Sequence, residues 1–145
     1  MTLLLGIVRT TPELDRFGQL NLRHLGLGLT DFMILESIMH VGACTPSRLG
    51  DRVNLTRGSI TAAVDRLAAR GLVTRGPNAA DARSSLVKLT PIGVTVIESA
   101  WRSHAEAVEQ LMGQAITEEE SIVLFNLLGR VRRTWRRECR RVEAS

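Results

Sequence analysis

Apolar residues recur at helical spacing along most of the chain and predict a mainly α-helical fold. The pattern is clearest in NLTRGSITAAVDRLAARGLVTR, residues 54–75. In this stretch Thr56 is positioned as a helix N-cap, and Gly71 is positioned to end the helix in a left-handed conformation. Four positions spaced i, i+3, i+4 and i+7 predict one buried face: Ile60, Ala63, Val64 and Leu67.

Five further helices are predicted from start signals and apolar spacing. Threonine–proline pairs at residues 11–12, 45–46 and 90–91 provide an N-cap followed by a proline at the first helical position. Residues 117–120 form a capping box for the last helix. The predicted extents are residues 11 to about 25 for the first helix, 29 to 42 for the second, 46 to about 53 for the third, 91 to about 112 for the fifth, and 117 onward for the last.

Two short strands complete the pattern. The segments LVTR and SLVKL are rich in Leu and β-branched residues, and the segment GPNAADARS between them is dense in turn formers. A short helix, a tight connection, a second helix and a β-hairpin follow one another in the order of a winged helix-turn-helix. The fold class is therefore mainly α with a small β-hairpin, flanked by N- and C-terminal helices.

Long apolar stripes on the fifth and sixth helices predict a dimer, because a single winged domain cannot cover both. We therefore divide the chain into an N-terminal helical region (1–28), a winged helix-turn-helix (29–90) and C-terminal dimerisation helices (91–145). The residues of the fifth and sixth helices predicted at the dimer interface are Ile97, Trp101, Val108, Leu111, Leu124, Leu128, Val131 and Trp135.

Positive charge is concentrated in the middle of the chain. Residues 45–90 carry eight basic and three acidic side chains, whereas the remainder carries eleven basic and twelve acidic ones. The predicted winged domain is thus strongly basic, which favours a polyanionic partner such as DNA.

The exposed face of the fourth helix has small and hydroxyl-bearing side chains, which would let the helix enter a major groove. Arg83, in the loop of the hairpin, could reach a minor groove or flanking phosphates, and Asp81 could brace that arginine or the loop backbone. A helix with this face could also pack against another helix. The residues predicted to contact DNA are Ser47, Thr56, Arg57, Gly58, Ser59, Thr61, Ala62, Asp65, Arg66, Arg75, Asp81, Arg83 and Ser84.

The segment LTRGSITAAVDRLAARGLVTR, followed by DARS and LTPIG, resembles the MarR (multiple antibiotic resistance regulator) family of bacterial transcription regulators. The matching residues are Leu55-Thr56, Gly58-Ser59-Ile60-Thr61, Val64-Asp65-Arg66-Leu67, Gly71-Leu72-Val73, Arg75, Asp81, Arg83-Ser84, Leu89-Thr90 and Gly93. Two positions depart from the family pattern. Ala82 stands where members often carry a basic residue, and Gly76-Pro77 replaces a commonly charged start to the wing.

The resemblance implies an obligate dimer whose first, fifth and sixth helices interlock, with two winged domains on a pseudopalindromic operator. It thereby makes residues 1–28 an N-terminal dimerisation region and adds Leu14 and Phe17 of the first helix to the predicted dimer interface. It implies that Thr56, Arg57, Ser59, Thr61 and Arg66 face DNA and that Arg83 is the wing-tip arginine. Family members usually respond to small phenolic or lipophilic ligands, to oxidants or occasionally to metals. We therefore expect a repressor released by a small molecule, although no residue identifies that molecule.

The cysteines and the basic C-terminal segment leave alternatives open. Cys44 and Cys139 are too few for a disulfide framework, and a plain thiol is favoured over a redox switch at each. The segment RVRRTWRRECRR has seven arginines, for which a solvated helical face is the default. Nonspecific DNA contact or pairing with acidic residues of the partner subunit is the sharper alternative. His40 and Cys44 have a spacing that resembles a metal site, but Gly42 is expected to break the helix between them. His24 and His104 are lone histidines, so no metal site is predicted.

Two other classes of function remain to be weighed. A winged-helix module that binds protein would use the apolar stripes and show no preference for any duplex. An enzyme is disfavoured, because no nucleophile with a paired base, glycine-rich phosphate loop or close carboxylate pair is present. The opening LLLGIV run is too short for a signal or membrane segment, so a cytosolic protein is expected. No cofactor is expected.

Overall fold

The computed structural model describes residues 2–81 and 83–143. Within these residues the chain forms six α-helices and one antiparallel hairpin, in the order that the sequence predicts. The elements are α1 (Thr2–Leu22), α2 (Leu29–Val41), α3 (Pro46–Val53), α4 (Arg57–Ala69), β1 (Val73–Pro77), β2 (Ser85–Leu89), α5 (Pro91–Ala115) and α6 (Glu118–Glu143). The mainly α winged helix-turn-helix fold is confirmed. The chain divides into two compact units at the boundary between residues 105 and 106.

The predicted helix caps are present at atomic level. Thr45 accepts a hydrogen bond from the Arg48 N–H at 3.4 Å, and Thr56 accepts one from the Ser59 N–H at 3.2 Å. At the start of α6, the Thr117 N–H donates to the Glu120 carboxylate at 2.9 Å, and the Glu120 N–H donates back to Thr117 Oγ1 at 3.3 Å. Local capping chemistry therefore sets these helix starts.

The core of the first unit lies where α2, α3, α4, the hairpin and the start of α5 meet. All four inward positions predicted on α4 are buried. The largest fully buried side chains are Leu22, Ile34, Leu35, Leu49, Ile60, Val64, Leu67, Val87 and Ile97. Ile97 corrects a sequence-based assignment: its side chain is enclosed within the protomer, so it packs in this core instead of facing a partner subunit.

The start of α1 differs from the sequence-based prediction. The helix begins at Thr2 and not at residue 11, with Pro12 inside it. Proline removes one backbone donor from a helix interior. Just before it, the Thr10 and Thr11 hydroxyls donate to the Gly6 and Ile7 carbonyls at 2.8 and 3.0 Å. These bonds lie in the turn just before Pro12, whereas the carbonyl that loses its N–H donor to the proline is that of Val8, four residues earlier.

The hairpin is extended by an isolated bridge that the strand pattern did not predict. β1 and β2 pair antiparallel, with Val73 opposite Leu89 and Pro77 opposite Ser85. The Cys44 N–H donates to the Val87 carbonyl at 3.1 Å, and the Val87 N–H donates to the Cys44 carbonyl at 2.9 Å. The segment before α3 is thereby fixed to β2. Burial in this position raises the pKa of the Cys44 thiol.

The second unit contains the end of α5 and all of α6. No described residue of α6 is buried, and the helix carries exposed large apolar side chains along its length. No helix among the described residues is both long and apolar enough to cross a membrane.

Candidate nucleic-acid interface

The connection between α3 and α4 fixes the angle of the helix-turn-helix. Asn54 adopts a left-handed conformation with φ of 55°, and the Leu55 N–H donates to the Gly50 carbonyl at 2.9 Å. A Cβ at Gly50 would lie 3.1 Å from the Leu55 carbonyl oxygen, so the two helices approach closely here. The small residue and the left-handed turn together place the N-terminus of α4 at the surface.

The first turns of α4 present a small, polar and exposed face. Arg57, Gly58 and Ser59 are all exposed, as are Thr61 and Ala62 on the next turn. The Thr61 hydroxyl donates to the Arg57 carbonyl at 2.9 Å, which leaves its oxygen lone pairs available to a donor. This face combines free hydroxyl groups, a cation and little steric bulk, which is the chemistry that suits a DNA groove.

Arg66 has a partner that the sequence did not indicate. Its Nε donates to Asp31 Oδ2 at 3.4 Å, and its Nη2 bonds the other carboxylate oxygen. Arg70, the residue that caps the C-terminus of α4, donates to Asp31 Oδ2 at 3.3 Å and to the Gly26 carbonyl at 3.0 Å. Asp31 is 5% exposed, and the bond to it raises the pKa of the Arg66 guanidinium. Arg66 and Asp65 were both predicted on the outer face of α4. In the structure each bonds another side chain of the protein, Arg66 to Asp31 and Asp65 to an arginine of β1.

Asp65 links α4 to the wing. Arg75 on β1 donates through Nη2 to Asp65 Oδ1 at 2.6 Å. Both residues were predicted as DNA contacts, and in the structure they form an ion pair with each other. Their geometry supports a role in setting the position of the hairpin relative to α4.

The wing loop is ordered by its own side chains. Asp81 braces the loop backbone by accepting the Arg83 N–H at 3.0 Å, one of the two roles considered for it from sequence. Asn78 donates to Ser84 Oγ at 2.7 Å and accepts the Ala80 N–H at 3.1 Å. Arg83 is exposed at the end of the hairpin. Ala82 lies outside the described residues.

Ser47 lies apart from these groups, on the first turn of α3. It is exposed, and its hydroxyl is 3.3 Å from Thr45 Oγ1. Ser47 is thus exposed on the N-terminal turn of α3, the first helix of the helix-turn-helix. Sequence reasoning missed Asp31 and Arg70. In the sequence, Asp31 looks like an ordinary acidic residue at a helix start. Its two partners are 35 and 39 residues away, so no local pattern indicates the interaction.

An aromatic cluster joins α1, α2 and α5 within the first unit. The Phe32 ring lies 5.0 Å from the His104 ring and 6.3 Å from the Trp101 ring, between centroids. Phe17 stacks on His104 at 6.2 Å. His104 Nδ1–H donates to Asn21 Oδ1 at 2.8 Å, and burial lowers the pKa of His104. Phe17 and Trp101, both predicted at the dimer interface, thus already make contacts within the protomer.

A cleft of about 930 Å³ lies between α1, the start of α2 and α4. Its wall includes the side chains of Gln19, Arg23, Asp31 and Arg66, together with the backbone around Gly26. Donors of both arginines therefore adjoin a space large enough for a small organic molecule.

Among the described residues, no group of three or more His, Cys, Asp or Glu side chains is arranged to hold a metal ion.

Comparison with known proteins gives consistent matches. The MarR family model matches residues 25–84. The multiple antibiotic resistance protein MarR of Salmonella typhimurium is 32% identical over 125 residues, covering 86% of this chain and 87% of that protein. A mutant MarR from E. coli, crystallised with operator DNA, superposes with a TM-score of 0.81 at 30% identity, covering 90% of this chain and 94% of the other. The organohalide-sensing regulator RdhR, in its 2,4-dichlorophenol-bound form, superposes with a TM-score of 0.77 at 25% identity, covering 92% and 79%.

Proposed function

This chain belongs to the MarR family of transcription regulators, and from that premise we propose that it is a homodimeric repressor released from its operator by a small molecule. Family membership makes it a DNA-binding regulator and not an enzyme. The cytoplasm is the proposed site of action. The observation that carries the proposal is the capped, exposed N-terminal face of α4, set within residues 45–90, which carry eight basic and three acidic side chains.

The proposed DNA interface has three parts. The N-terminal half of α4 enters the major groove, where Arg57 and the hydroxyls of Ser59 and Thr61 meet base edges and phosphates. Ser47, at the start of α3, meets the backbone. The loop arginine Arg83 reaches the flanking minor groove, which is favourable to arginine because of its negative potential.

Exposed apolar side chains support the proposed homodimer. In the chain by itself, α1 and α6 leave many large apolar residues in contact with solvent, more than a stable monomer normally tolerates. Those on α6 that belong to the predicted interface are Leu124, Leu128, Val131 and Trp135. A second copy of the chain would cover them through a two-fold symmetric contact and would place two winged units on a pseudopalindromic site.

The cleft beside Arg23 and Arg66 supports a small-molecule effector. A ligand there would contact α4 through Arg66 and α1 through Gln19, so its binding could differ between the DNA-bound and free conformations. RdhR was crystallised with 2,4-dichlorophenol, which shows that a structurally similar protein binds a small phenol. We accordingly propose a small aromatic or organic anionic effector for this chain.

Footprinting of DNA upstream of the protein's own gene tests the function directly. The expected result is a protected palindrome with half-sites about one helical turn apart. An Arg57→Ala variant should lose this protection, whereas Arg102→Ala, an exposed arginine on α5, should keep it. Smeared or absent protection with the wild-type protein would contradict binding to a specific operator and would favour the protein-interaction module.

A further inference from the structure

The Asp31 carboxylate is buried and is not part of the proposed DNA interface at the N-terminus of α4. It lies on the first turn of α2, with a side chain that is 6% exposed, and it accepts hydrogen bonds from Arg66 of α4 and from Arg70, which caps the C-terminus of α4. Arg66 engages both of its oxygens in the forked geometry that is favoured between guanidinium and carboxylate. Arg70 also bonds the Gly26 carbonyl. One carboxylate therefore ties the C-terminal half of α4 to the start of α2.

The two arginines lie on a flank of α4, beside the face that would meet DNA. They are spaced i, i+4, so their side chains emerge on the same side, and they remain 51% and 38% exposed. A long guanidinium side chain at such a position would otherwise reach duplex phosphates, which attract arginine irrespective of sequence. The buried carboxylate competes with those phosphates from a site of low dielectric constant, where its attraction is stronger.

We propose that Asp31 is a specificity-determining positioning residue, which holds Arg66 and Arg70 against the α2 side of α4 and away from the phosphate backbone. Specificity is a difference between the affinities for the correct and incorrect sites. Withholding two sequence-independent contacts lowers the affinity for random DNA, and fixing the rotation of α4 keeps its N-terminal residues in register with the bases. The inference rests on the proposed interface, in which α4 enters the groove.

The test is the salt dependence of binding to a random-sequence duplex of about three helical turns, measured between about 50 and about 200 mM salt. Asp31→Asn should bind this duplex more tightly than wild type, with a log–log slope steeper by up to roughly 0.9 for each arginine released. Adding Arg66→Gln and Arg70→Gln to Asp31→Asn should return the slope to the wild-type value. Glu98→Gln, which removes an exposed carboxylate on α5, is the matched control for net charge.

A slope for Asp31→Asn equal to that of Glu98→Gln would overturn the proposal, as would a triple variant that keeps the steeper slope. If Asp31→Asn does not fold, the proposal can still be tested by NMR on the wild-type protein. The NMR signal of the Arg66 Nε–H should stay unchanged when the random duplex is added, and a shift would show that the arginine leaves Asp31 for DNA. Failure of the interface itself would look different, because Arg57→Ala would then bind the random duplex as wild type does.

Discussion

Gly93, on the first turn of α5, packs so closely against Leu72 that a Cβ on it would lie 1.9 Å from the Leu72 carbonyl oxygen. The same carbonyl accepts the Thr90 N–H at 3.0 Å, so the start of α5 is fixed to the end of the helix-turn-helix. Gly93→Ala should therefore lower the free energy of unfolding by about 3 kcal/mol or more, because backbone would have to move. Urea unfolding at a fixed protein concentration measures this decrease.

Gly113→Ala is the control for that prediction. It is also a glycine of α5, but a Cβ there would meet no atom within 4 Å. Alanine in an open helical position should stabilise the protein by about 0.5 to 1 kcal/mol. Equal destabilisation by the two substitutions would mean that the close approach to Leu72 is not what requires glycine at position 93.

His104 should make stability depend on pH. Burial lowers the pKa of His104 in the folded protein, so the neutral imidazole is favoured by folding. Its contribution is fully present above about pH 6.5, the usual pKa of an unfolded histidine, and is lost as the pH falls through the lower folded pKa. His104→Gln has no such titration. The difference in unfolding free energy between wild type and His104→Gln should shrink on acidification, when both are unfolded in urea at matched pH and concentration.

His24→Gln provides the comparison, because His24 is exposed and lies outside the aromatic cluster. The prediction would be contradicted if the difference in unfolding free energy between wild type and His104→Gln stayed constant from neutral to acidic pH. Removal of the Asn21 hydrogen bond would then be the whole effect of the substitution.

The parts of the fold set by neighbouring residues were predictable. The caps at Thr45 and Thr56 and the capping box that starts at Thr117 are determined within three or four residues, and the structure confirms them. The left-handed Gly71, with φ of 69°, likewise follows from the end of an apolar pattern. For α1 the local signal misled, because a threonine–proline pair is compatible both with a helix start and with a helix interior in which hydroxyls bond the nearby carbonyls.

Interactions between residues distant in sequence were not predictable. Arg66 has the same motif position whether it meets a phosphate or Asp31, and only the packing of α4 against α2 brings that carboxylate within reach. The stripe on α5 similarly gave no sign that Ile97 is enclosed by the winged unit while Trp101 remains partly exposed. Periodicity identifies a face of a helix, but it does not identify what covers each part of that face.

Arg83 should contribute to binding through the DNA backbone or the minor groove. Its side chain is exposed, and its loop is held by the bond from its own N–H to Asp81. Arg83→Ala should weaken DNA binding by about 1 kcal/mol or more per winged unit and make the salt slope shallower by roughly 0.9 for each phosphate that is no longer neutralised. Fluorescence anisotropy over a salt series measures both quantities. Arg102→Ala is the charge-matched control, and an Arg83→Ala variant indistinguishable from it would remove the wing from the interface.

Trp135 should be a major contributor to the dimer, because it is a large apolar side chain that is 58% exposed in the single chain. In a two-fold symmetric interface each substitution acts twice, so Trp135→Ala should raise the dimer dissociation constant by at least about a hundredfold. Sedimentation equilibrium across a dilution series measures the constant. Arg133→Ala, two residues away and on a different side of α6, should leave it within about threefold. A dimer equally sensitive to both substitutions would place the subunit interface elsewhere on α6.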